Sequence, residues 1–147
     1  MSDPKPATEK SAYLNQLARD KLSFDDTADF ARAHQGFITS ISDGRIESDD
    51  RVIWDSSAYD FLNEDTHVPN SVHPGLWRQA QLNTIHGLFE VCEGVWQVRG
   101  YDISNLTLIA GKTGWILVDV LTTAATASAC LALANQTLGE RPVVAVI

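Results

Sequence analysis

The sequence predicts an α/β fold, and three features of its second half carry that prediction. Residues 88–120 divide into four short runs rich in β-branched and aromatic side chains, separated by turn signals. Residues 124–138 read as a helix, and residues 143–147 are a continuous, mostly β-branched apolar run. A strand, a crossover helix and a second uninterrupted apolar strand make a βαβ unit, whose parallel strands belong to sheets covered on both faces. In open α/β sheets the ligand crevice lies just outside the carboxyl ends of the strands, so the chemistry is expected beyond Ile147.

Taken in order, residues 1–10 are polar and read as a disordered lead. Tyr13, Leu14 and Leu17 have helical spacing and predict a short helix over 11–20. Ser23 followed by Asp26 suits the exposed amides of a first turn, which predicts a helix over about 25–34 that Gly36 stops. Residues 36–73 carry Asp43-Gly44, Asp49-Asp50 and Pro69, too many turn residues for one regular element. They also carry Phe37, Ile41, Val52, Ile53, Trp54 and Phe61, which would be costly to leave in water. The segment is therefore read as an ordered arm lying on a larger body.

Pro74 fits the first turn of a helix running to about Ile85, before Gly87. Strands over 88–92 and 95–99 join through Glu93-Gly94, a two-residue hairpin signal. Strands over 104–110 and 115–120 join through Gly111-Lys112-Thr113-Gly114, completing an antiparallel meander. Thr123 can cap the 124–138 helix, whose buried stripe is expected at Ala127, Leu131, Ala134 and Leu138, with Gly139 as its stop and Pro142 beyond.

At 147 residues, 44% hydrophobic and 20% charged, the chain can build one domain with a core. Its net charge of −8 is uneven: residues 1–73 hold 14 acidic and 7 basic side chains, residues 74–147 hold 5 and 4. Two parts follow, an acidic arm over 1–73 and a body over 74–147. Nucleic acid is not expected as a partner, because phosphate affinity comes from clustered Lys and Arg and no such cluster exists. No apolar run approaches the ~20 residues that span a bilayer, so no membrane span is expected. The opening MSDPKPATEK lacks the apolar stretch of a secretory signal, so the sequence as written reads cytoplasmic. A leader removed earlier would make a periplasmic or secreted location the expectation instead.

Cys92 and Cys130 lie 38 residues apart with no CxxC, which suggests neither a zinc knuckle nor a disulfide framework; both read as small buried hydrophobes. His34, His67, His73 and His86 form no HxH, HxxH or HExxH spacing, so surface or capping roles are expected. Asp25, Asp26 and Asp29, and the pair Asp49-Asp50, read as solvated faces and turns, since acid–base work needs a carboxylate in a pocket. No GxSxG, P-loop or GxGxxG occurs. On these residues alone the chain contains no catalytic set and no metal-binding set.

Residues 73–147, with LWRQAQLN at 76–83, YDISNLTLIAG at 101–111 and TGWILVD at 113–119, closely resemble the start of the catalytic domain of bacterial and fungal alkyl sulfatases of the metallo-β-lactamase superfamily. FARAHQGFI at 30–38 and VIWDSSAYDFL at 52–62 resemble their N-terminal arm. The resemblance implies the first part of an αββα sandwich and hydrolysis of alkyl sulfate esters such as dodecyl sulfate. It also implies two zinc ions in the complete protein, held mainly by an HxHxDH loop directly after the strand at 143–147, and a homodimer. That loop is absent here, so the chain is expected to be an N-terminal piece that carries no zinc and is inactive alone. Superfamily members commonly have an Asp at the position of Asp119 that helps hold the metal loop through hydrogen bonds. Ser104 and Asn105 follow a turn that borders the active-site mouth in the superfamily, so the resemblance offers them as substrate-adjacent positions, while the residues alone read as strand-start positions satisfying local backbone groups. Trp77, Trp96 and Trp115 read as core or arm-packing residues. The remaining readings are another ester hydrolase of the same superfamily, or a metal-free interaction module binding through its acidic arm. The codons after Ile147 discriminate them.

Overall fold

A computed structural model describes residues 6–63 and 68–147. Helix α1, Glu9–Lys21, begins inside the stretch expected to be disordered, because the Thr8 hydroxyl accepts from Ser11 N at 3.1 Å and Glu9 faces the helix N-terminus. It buries no residue and is tied down by polar contacts: Asn15 Nδ2 donates to Asn70 O at 2.7 Å and an Arg19 Nη donates to Val68 O at 2.8 Å. Helix α2 is shorter than expected, Ala28–Ala33. Thr27 rather than Ser23 occupies its cap position, and Asp26 Oδ1 accepts from Ala28 N at 2.9 Å.

The arm is more regular than its turn residues suggested. Gly36, at φ 74°, turns the chain into β1, Phe37–Thr39. A Cβ there would stand 2.1 Å from Glu90 O, so only glycine permits this approach. Strands β2, Arg45–Ser48, and β3, Arg51–Asp55, form a hairpin through Asp49 and Asp50, both left-handed at φ 50° and 58°. A 3-10 segment, Ser56–Leu62, follows, started by Asp55 accepting from Ser57 N. Helix α3, Pro74–Asn83, is capped by His73, whose Nδ1 accepts from Gly75 N at 3.1 Å.

The main sheet contains β4, Gly87–Cys92, β5, Val95–Arg99, β6, Leu106–Ala110, β7, Trp115–Val118, and β8, Val143–Val146. Its order is β1-β4-β5-β6-β7-β8; β7 and β8 are parallel and every other pair is antiparallel. The expected meander and βαβ unit are both present, and the acidic half of the chain adds β1 as an edge strand. At the opposite edge β8 is exposed along its length, where coverage of both faces was expected. Cross-strand partners Leu88 and Val98, Val98 and Leu106, and Leu108 and Leu117 put one row of apolar side chains on a single face. Helix α4, Ala124–Leu138, and Ile46 of the arm hairpin close over that face.

The face that α4 buries differs from expectation. Thr126, Cys130, Leu133 and Ala134 are buried, whereas Ala127, Leu131 and Leu138 are only half-buried. One residue of helix is a rotation of about 100°, and it brings a threonine inward that an apolar pattern would place outside. The reason lies in a hydrogen-bond partner, described below. Among the described residues no helix is long and apolar enough to cross a membrane.

Candidate functional site at the carboxyl ends of two parallel strands

β7 and β8 run side by side and end together: Ile147 N donates to Leu117 O at 2.9 Å and Asp119 N donates to Ile147 O at 3.1 Å. Because β5, β6 and β7 alternate in direction, the 100–105 turn between β5 and β6 reaches the same end of the sheet, as does the start of α4. Two loops and the end of β8 therefore converge where α/β sheets place their ligands.

Two residues singled out from the sequence meet here. Ser104 Oγ donates to Asp119 Oδ1 at 3.2 Å, and the same oxygen accepts from Leu121 N at 3.2 Å. Asp119 and Leu121 both have left-handed backbones, φ 56° and 69°, which residues with a Cβ rarely adopt. Asn105 is exposed and does not join this pair; it lines a cavity of about 920 Å³ between the body and the arm, with Trp54, Tyr59 and Phe61 on the arm side and Arg99 and Asp102 on the body side.

Sequence reasoning missed Asp102. Its carboxylate accepts from Ile103 N at 2.6 Å, Thr122 N at 2.9 Å, Thr122 Oγ1 at 2.7 and 2.8 Å, and Thr126 Oγ1 at 2.7 Å. Burial works to raise its pKa, but the Thr122 and Thr126 hydrogen bonds outweigh it and hold the carboxyl below the usual range. This is the partner that draws Thr126 into the core, since a buried hydroxyl needs one. The available signal was a run of hydroxyls before α4 facing a turn carboxylate some 20 residues earlier, which no local periodicity reports.

Comparison with known proteins identifies the lineage. No protein-family model matches the chain. It is 43% identical over 144 residues to a linear primary-alkylsulfatase of Pseudomonas sp and 44% identical over 145 residues to an (R)-specific secondary-alkylsulfatase of Pseudomonas sp, covering 97% and 99% of this chain. An alkyl/aryl-sulfatase of Saccharomyces cerevisiae is 48% identical over 128 residues, 86% of this chain. The solved structure of the stereoselective inverting sec-alkylsulfatase Pisa1 from Pseudomonas sp. superimposes with a TM-score of 0.90 at 45% identity over 98% of this chain. Across nearly all of its length the chain is homologous to alkylsulfatases. It spans 20–22% of the length of these three sequence relatives, and 23% of the Pisa1 chain.

Elsewhere in the chain the remaining candidates are scattered. His73 caps α3, His34 sits at the C-terminal cap of α2, and His86 Nδ1 lies 2.8 Å from Thr84 O with its ring edge-on to Tyr101; His67 lies outside the described residues. Among the described residues no group of three His, Cys, Asp or Glu side chains could hold a metal ion. Cys130 is buried as expected, and burial, with the nearby Asp102 charge, pushes its thiol up to about 12, so it stays protonated. Cys92 is exposed, against expectation, because it ends β4 beyond a register shift with β5. Asp29 is likewise more than a solvated face. Arg78 donates to both its oxygens, at 3.0 and 2.6 Å, and to the carbonyls of Phe24 and Asp26. Trp77 and Trp115 are buried, and Trp96 stacks edge-on against Trp115.

Proposed function

We propose that this chain is the N-terminal part of an enzyme that hydrolyses alkyl sulfate esters, such as dodecyl sulfate, to alcohol and sulfate. The observation that carries the reading is the extent of the likeness. It runs through the arm as well as the sheet, 98% of the chain at a TM-score of 0.90, and fold alone would not select among the ester chemistries one scaffold can host. The strand order and the βαβ unit support the further reading that the body opens a metallo-β-lactamase-type αββα sandwich.

In this reading the chain supplies a wall of the active site and its supports. Asp119, fixed by Ser104 and by its bond to Ile147 O, would steady the segment that follows β8. Asn105 and Ser104 would stand at the mouth. The family resemblance assigns two zinc ions and a homodimer to the complete protein. Among the described residues no group of side chains fits a metal site, the resemblance assigns the zinc ligands to the segment after β8, and no step of the reaction is drawn through metal here. The experiment is to express the longer protein and compare sulfate release from dodecyl sulfate with turnover of a β-lactam and of a glutathione thioester, each with and without chelator. Chelator-sensitive release of sulfate is the expected result. Turnover of either competitor with dodecyl sulfate untouched would overturn the reading.

A further inference from the structure

We propose that Asp102 is a positioning residue for the sulfatase reaction, acting through Thr122 and Thr126 to fix the 119–123 turn, and with it Asp119, against the carboxyl end of β8. The inference rests on the reading above for its link to catalysis and on geometry for the rest. The turn contains two left-handed residues with side chains, Asp119 and Leu121. Such backbone persists only where its surroundings over-determine it. Within the turn the fixing bond is Leu121 N to Asp119 Oδ1; from outside, Asp102 holds Thr122 through both its amide and its hydroxyl, and Ser104 of the same 100–105 loop holds Asp119. Asp102 also accepts from Thr126 Oγ1, which anchors the turn to the buried face of α4. One carboxylate thus ties together the β5–β6 loop, the β7–α4 loop and the helix. Both its oxygens are engaged inside the protein, by Ile103, Thr122 and Thr126, so the group is committed to holding structure and not to meeting substrate.

The test uses the longer protein with Asp102→Ala and Asp102→Asn. Asn with its oxygen at the Oδ2 position still accepts from Thr122 N and the Thr126 hydroxyl, and its amide, at the Oδ1 position, can donate to the Thr122 hydroxyl while giving up only the bond from Ile103 N. Asp102→Ala should lower kcat for dodecyl sulfate about tenfold or more, the scale seen when a group orienting a catalytic one is lost, with KM little changed, and Asp102→Asn should recover most of the loss. Amide exchange should quicken in the 119–123 segment of Asp102→Ala while β6 and β7 stay protected. Wild-type kcat, activity loss that merely tracks the unfolded fraction, no recovery in Asp102→Asn, or unchanged exchange in the turn would each overturn the proposal. Should Asp102→Ala not fold, Thr126→Val removes one tie while keeping shape; a smaller drop in kcat with faster turn exchange supports the proposal and wild-type values of both overturn it. If the unmutated protein releases no sulfate, the functional reading fails on its own, and exchange in the turn still decides whether Asp102 holds it.

Discussion

Asp29 and Leu108 mark two ways in which parts of one chain are fixed. Asp29, on the acidic arm, is gripped by Arg78 through two hydrogen bonds at a partly exposed site, and neither α1 nor α2 buries a residue. Leu108, in the middle of the sheet, is wholly buried among Leu88, Val98, Leu106, Trp115 and Leu117, under α4. The sheet region is held by water leaving apolar surface, which is non-directional and strong in sum. The first two helices are held by a few directional contacts to carbonyls and carboxylates, which fix position while contributing little to global stability. Substitutions in the two regions should therefore separate global from local effects.

The largest loss is expected from Trp115→Ala, which empties a fully buried site, removes the edge-on contact with Trp96 and breaks the indole N–H bond to Asn135 Oδ1 at 2.8 Å. Equilibrium denaturation should show a loss of about 3–5 kcal/mol. Gly36→Ala attacks the seam between arm and sheet, forcing a Cβ onto Glu90 O; a cost of roughly 1–3 kcal/mol is expected by the same measurement. Tyr101→Phe breaks another seam contact, the hydroxyl that accepts from Ile41 N at 2.8 Å, and should cost about 1–2 kcal/mol.

The smallest global effect is expected from Arg78→Gln. Limited proteolysis should quicken within 24–33 while the denaturation midpoint stays near that of the wild type, since the sheet core does not depend on this grip. The same contact has a pH signature. The Arg78 hydrogen bond holds the Asp29 carboxyl below its ordinary range, so the contact's contribution is complete above the ordinary carboxylate pKa and fades as pH falls through the lowered one. Proteolysis of the wild-type 24–33 segment should accordingly rise only in acid below the usual carboxylate range. A rise that begins well above it would show that Asp29 is not what holds α2.

The same contrast decides what could be read from the sequence. The β4–β5 hairpin at Glu93-Gly94, the Thr123 cap and the apolar run of β8 are local signals, and each produced its element. β1 is three residues long, with a register shift, and pairs with a strand some 50 residues later, so no local period marks it. α1 extends on both sides of the expected 11–20 because its apolar residues mark only its middle, whereas the Thr8 cap sets its start. Among the site residues, Asp119 and Ser104 came from family resemblance and do meet at 3.2 Å. Asp102 was hidden because its bonds to Thr122 and Thr126 close over 20 and 24 residues, and the pattern expected for α4 treated Thr126 as surface.

In the proposed reading this chain meets the chemistry at the 119–123 turn and not at the polar grip on its arm. The most direct measurement is kcat for dodecyl sulfate in the longer protein carrying Asp119→Ala or Arg78→Gln, with folding verified by the denaturation midpoint. Asp119→Ala should lose about 10–100-fold in activity, as orienting groups do, while Arg78→Gln stays near wild type. An active Asp119→Ala protein beside a crippled but folded Arg78→Gln protein would contradict the claim and move the functional contribution to the arm.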